Sequence, residues 1–135
     1  MKVFTGRDGK IWEHKLNFVD SNNVILGFDN TQDCCEQFGW YVNTNQGANR
    51  DDKSTVEGDE TYTPSLKMLE PYNFDIHYHA IKESQDYSFE SLCEFKLVAD
   101  GLPDLYLTLF NIHEGYYSHG FDFSVDGKLK YSGSL

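Results

Sequence analysis

The chain has 135 residues, with 22 Asp and Glu against 11 Lys and Arg, a formal net charge of -11 at pH 7. That surplus argues against direct binding to DNA, RNA or an anionic membrane, since such partners select for cations that neutralise phosphate. Ten Phe, nine Tyr and two Trp supply enough bulky apolar material for the packed core of one domain spanning residues 1–135, and argue against global disorder.

No apolar run approaches the roughly 20 residues of a membrane-spanning helix. The opening stretch Met1 to Asp8 has no long apolar segment, so no signal peptide and a cytoplasmic location are expected. Three Cys, two of them adjacent at Cys34 and Cys35, are poor material for a disulfide framework. Reduced thiols are the expectation.

Period-two alternation dominates, as in strands with one face buried. Trp12, His14, Leu16 and Phe18 fall on one face of a segment from Ile11 to Val19. The turn Asp20-Ser21-Asn22-Asn23 then leads into the apolar run Val24 to Phe28, which predicts a hairpin. Phe38, Trp40 and Val42 alternate in a segment starting at Cys34. From Asn43 to Ser65 the only aliphatic residues are Ala48 and Val56, which predicts a long polar, exposed loop.

After Pro71, Phe74, Ile76, Tyr78 and Ala80 are expected on one strand face, and Asp75, His77 and His79 on the other. Phe89 to Ala99 alternates again, with Cys93, Phe95 and Leu97 on one face. Ser84 to Phe95 is the best helix candidate, yet its Phe and Ser content favours a strand. Asp100 to Asp104 is a turn, and Leu105 to Ile112, apolar on both faces, reads as a central strand covered on both sides. Tyr117, His119, Phe121, Phe123 and Val125 share a face of the next segment. Asp126-Gly127 is a hairpin turn before a last strand from Lys128. The fold class expected is mainly β, an antiparallel meander forming a bent sheet or small sandwich with little helix.

Three constellations carry candidate chemistry. Asp33-Cys34-Cys35-Glu36 offers thiols as metal or redox groups. Adjacent Cys in a strand point to opposite faces, and flanking carboxylates raise a thiol pKa, so one Cys packed inside and a structural turn is the simpler reading. In Asp75-Ile76-His77-Tyr78-His79, alternation sets two His roughly 7 Å apart along one strand face. A third zinc ligand would come from Cys34, Cys35, Glu36, His113 or His119. Lastly, Ser118 and His119 suggest a nucleophile and base, but neighbours in a strand point apart and no nucleophile-elbow motif is present.

Asp33-Cys34-Cys35-Glu36 and Gly115-Tyr116-Tyr117-Ser118-His119-Gly120, with Ser134-Leu135 at the C-terminal end, resemble motifs of a family of small uncharacterised bacterial and phage proteins. That family carries a similar Asp-Cys-Cys-Glu and a Gly-Tyr-Tyr-Gly-His-Gly; Ser118 stands here in place of a Gly. The resemblance implies no activity. It implies a phage or mobile-element context, in which small proteins often inhibit host defence.

The leading expectation is a non-enzymatic binding protein, an anti-CRISPR-like inhibitor docking an acidic surface on a basic nucleic-acid-binding partner. Asp51, Asp52, Glu57, Asp59 and Glu60 would make that contact. The alternative is a zinc-binding protein with His77, His79, Cys34, Cys35 and His119 as ligand candidates; a small hydrolase using His119 ranks last.

Overall fold

The computed structural model describes residues 1–6, 15–50, 55–57, 66–83, 90–112 and 117–135. Among the described residues, ten strands form two antiparallel sheets of five. β1 (Lys2–Thr5), β2 (Lys15–Val19), β3 (Val24–Asp29), β9 (Gly120–Val125) and β10 (Lys128–Ser134) make one sheet, in that spatial order. The other runs β5 (Thr55–Glu57), β4 (Gln37–Asn43), β8 (Leu105–Ile112), β7 (Glu90–Val98) and β6 (Asn73–Glu83). One turn of 3-10 helix, Leu66–Leu69, precedes β6.

Alternation decides which side chains meet. In the first sheet, Phe18, Leu26 and Phe123 stand opposite one another across β2, β3 and β9, and Leu16, Phe28 and Phe121 form the next row. In the second, Trp40, Leu109 and Cys93 form one row, and Val42, Leu107 and Phe95 another. These rows face each other and fuse into one buried cluster. Phe18 meets Trp40 edge-on at 5.2 Å, and Phe95 stacks on Phe123 at 5.2 Å. Each such ring contributes about 1.5–3 kcal/mol by leaving water. Aromatic contact adds about 0.5–1.5 kcal/mol per pair. The molecule is thus a small β-sandwich, as the strand-and-turn pattern leads one to expect.

Both hairpin turns form where expected. Asp126 and Gly127 adopt φ of 52° and 77°, the two left-handed positions that a tight Asp-Gly hairpin requires. In the turn after β2, Asp20 is buried and accepts hydrogen bonds from the backbone N–H of Asn22 at 2.9 Å and Val24 at 3.0 Å. Its other oxygen accepts from Phe74 N–H at 2.9 Å, tying the first sheet to the start of β6 in the second.

Sheet order departs from a plain meander where β5 and β6 take opposite edges of the second sheet, and at two crossovers between the sheets. β3 passes to β4 in the opposite sheet, and β8 passes back to β9. Because β3 pairs with β9 and β4 with β8, both connections lie at the same end of the sandwich. Ser134 pairs with Gly120 there as well.

The expected loop from 43 to 65 is also refined. Thr55–Glu57 pairs with β4 as an edge strand. Residues 44–50 fold onto the outer face of the second sheet: Tyr41 Oη donates to Ala48 O at 2.8 Å, and Arg50 sits 4.8 Å over the Phe110 ring. That cover explains why β8 is apolar on both faces.

Candidate functional site

The end of the sandwich where the crossovers meet gathers most of the chemistry-bearing residues. Between β3 and β4 the chain bends at Cys34 and Cys35 before β4 begins at Gln37. Glu36 turns inward and is 4% exposed. Its Oε1 accepts from Asp33 N–H at 2.8 Å, and its Oε2 from Cys34 N–H at 2.9 Å. Gln32 Nε2 adds bonds to the carbonyls of Glu36 at 3.0 Å and Cys34 at 3.3 Å. The turn is therefore held from both sides of its backbone.

His119 enters from the segment before β9 and is 1% exposed. Its backbone pairs in both directions with Leu135 at 2.9 Å, and Asn111 Nδ2 donates to Leu135 O at 2.9 Å. Its ring stacks on Phe38 at 3.9 Å between centroids. Nδ1 lies 2.7 Å from the Asp29 carbonyl, and Nε2 lies 3.2 Å from Glu36 Oε1. A carbonyl and a carboxylate flank the ring, one at each nitrogen, so both polar atoms of the imidazole have a partner within the fold.

Burial works against ionising Glu36, but the backbone N–H groups around it and the His119 contact outweigh that cost. Together they hold its carboxyl down at about 2. The arrangement is a buried, hydrogen-bonded pair that locks two crossover loops to each other. Both ring nitrogens of His119 are engaged within the protein, while the neighbouring Ser118 is exposed and points elsewhere.

Cys34 and Cys35 lie on the outside of the same turn, both exposed, with their sulfurs 3.0 Å apart. The expectation that neighbouring Cys point to opposite faces does not hold. It assumed an extended strand, whereas the backbone bends here ahead of β4 and turns both side chains the same way. The Tyr117 phenol hydrogen-bonds Cys34, and the negative charge Cys34 can carry pushes the phenol pKa up, with partial burial adding to it.

His77 and His79 lie on β6, both exposed. A register irregularity interrupts the alternation on which their expected common face rests. Phe74 pairs with Leu97, yet His79 pairs with Phe95, so five steps along β6 match two along β7. The odd step brings His79 opposite the inward-facing Phe95, and its ring, still exposed, packs at a tilt on Tyr131 at 3.9 Å. Phe74 stays in the core, and Tyr78 turns to the outer face, so Phe74 and Tyr78 do not share a side as expected. Among the described residues, no three His, Cys, Asp or Glu are grouped so as to hold a metal ion. Asp51, Asp52, Asp59, Glu60 and His113 lie outside the described residues; Glu57 ends the edge strand β5.

A third buried carboxylate, after Asp20 and Glu36, escaped the sequence reading. Glu94, 3% exposed on the outer face of β7, accepts from Tyr78 Oη at 2.7 Å and from Gly47 N–H at 2.7 Å. Gln46 Nε2 donates to the same phenol at 2.8 Å. Burial, and then the bond to Glu94, push the Tyr78 phenol up to about 12. This knot pins the 44–50 segment to the sheet. Its signal in sequence is faint: one Glu at an outer position of a strand that is apolar on its other face. No family model matches the chain, and neither the curated proteins nor the solved structures contain a match to it.

Proposed function

We propose that this chain is a non-enzymatic binding protein whose acidic exterior docks on a basic, nucleic-acid-binding protein surface, in the manner of a phage or mobile-element inhibitor of host defence such as an anti-CRISPR. The observation that carries the reading is how the carboxylates divide. Asp20, Glu36 and Glu94 are buried and serve backbone N–H groups within the fold. Asp33, Glu70, Asp100 and Asp126 are exposed, and the overall excess of acidic over basic groups is 11. A surface of that sign attracts a basic channel, speeds encounter and rejects nucleic acid. Of the acidic stretch 51–60, Thr55–Glu57 forms β5 at the edge of the second sheet, an edge that a partner can approach. His119 is engaged at both ring nitrogens, which favours a binding role over one in hydrolysis.

The test is binding to purified nucleases with basic nucleic-acid channels, followed by surface plasmon resonance at low and high salt with nucleic acid as competitor. Association should slow by at least about tenfold on adding salt. Converting Asp51, Asp52, Glu57, Asp59 and Glu60 together to Lys should abolish binding while the circular dichroism spectrum stays unchanged. Salt-independent binding, or unaltered affinity after charge reversal, overturns the proposal.

A further inference from the structure

We propose that Cys34 and Cys35 form a vicinal dithiol site that hydroperoxides oxidise reversibly to a disulfide within the turn. The two sulfurs are exposed and stand 3.0 Å apart, on a bend whose backbone is tied down by Gln32 and Glu36. Glu36 is in turn anchored on His119. A thiol held this close to its neighbour acts on it as an intramolecular reagent, so the second step outruns encounter with another molecule. Bond formation requires the sulfurs to close from 3.0 Å to about 2.05 Å.

The chemistry balances as follows. One sulfur, as thiolate, attacks a peroxide oxygen; the O–O bond breaks, water or an alcohol leaves, and a sulfenic acid forms. The second sulfur attacks the sulfenic sulfur, the S–O bond breaks and water leaves. The peroxide gains two electrons and the thiol pair loses two. A disulfide between adjacent residues closes a strained ring, which makes it readily reducible by small thiols and suits a reversible modification. Cys93 takes no part: it is fully buried in the core, and burial pushes its thiol up to about 12.

The experiment treats the reduced full chain with a slight excess of hydrogen peroxide, blocks remaining thiols with an alkylating agent and maps the peptides by mass spectrometry. The expected result is a loss of two hydrogens confined to the peptide holding Cys34 and Cys35, restored by dithiothreitol, with Cys93 alkylated only after unfolding. Cys34→Ser and Cys35→Ser should each stop at a sulfenic acid that dimedone traps. Both thiols remaining alkylatable, sulfinic acid accumulating at either, or chains linking to one another instead would overturn the proposal.

Discussion

At the scale of single residues, two buried carboxylates act as joints. Glu36 is held ionised by its N–H donors and His119, with a folded pKa near 2 against an ordinary 4.5. A depressed carboxylate contributes its full stabilisation above its unfolded pKa and loses it as pH falls toward the folded one. Thermal unfolding followed by circular dichroism should show the melting temperature dropping as pH falls from about 4.5 toward 2. Glu36→Gln should lower stability near neutral pH by about 1–3 kcal/mol and flatten that acid limb. Asp20 works without a His partner. Asp20→Ala removes the acceptor for Asn22, Val24 and Phe74 at once, and urea unfolding should register a loss of about 2–3 kcal/mol. Both residues were visible in sequence only as a turn former and a candidate donor. Their partners lie up to 83 positions away, a separation that local pattern does not encode.

Among the elements, strand existence and inward faces were legible because period two maps directly onto burial. Leu16 with Phe18, Phe38 with Trp40, and Phe121 with Phe123 all face the core as their alternation requires. The failure came at β6, where the irregularity between Phe74 and His79 shifts the pattern by an odd step. Such an irregularity depends on the neighbouring strand, so the simple alternation from Phe74 to Ala80 does not carry through β6. The turn at Cys34 and Cys35 was legible, but not that both thiols lie outside it: the inward position is taken by Glu36, held by Cys34 N–H and His119. The last hairpin gives a sharper test. At Gly133 a methyl group would lie 2.6 Å from Cε1 of Phe121, a buried ring that already packs against Phe95. Gly133→Ala should therefore cost about 1–3 kcal/mol through overpacking. Gly127→Ala meets open space, but its φ of 77° makes a side chain unfavourable by about 1 kcal/mol. Paired chemical denaturation of the two variants should rank Gly133→Ala as the more damaging.

Across the whole molecule, the pairing of strands distant in sequence governs behaviour. β3 completes its pairing only with β9, and β4 only with β8, so neither sheet closes from neighbouring segments alone. A topology of that kind folds slowly, and stopped-flow refolding should fall in the range of about milliseconds to seconds. Microsecond refolding would be incompatible with the described strand order. The crossovers themselves were not legible from composition or alternation, since a meander and a two-sheet exchange share the same strands and turns.

The place of β9 between β3 and β10 also bears on how the protein is made. While a ribosome is still extending the chain, β1 to β3 can zip together, but the inner edge of β3 waits for residues 120–125 to emerge. During that interval Leu26 and Phe28 lack their cover and invite pairing with other nascent chains. Slowing translation just upstream of β9 should therefore lower the soluble yield.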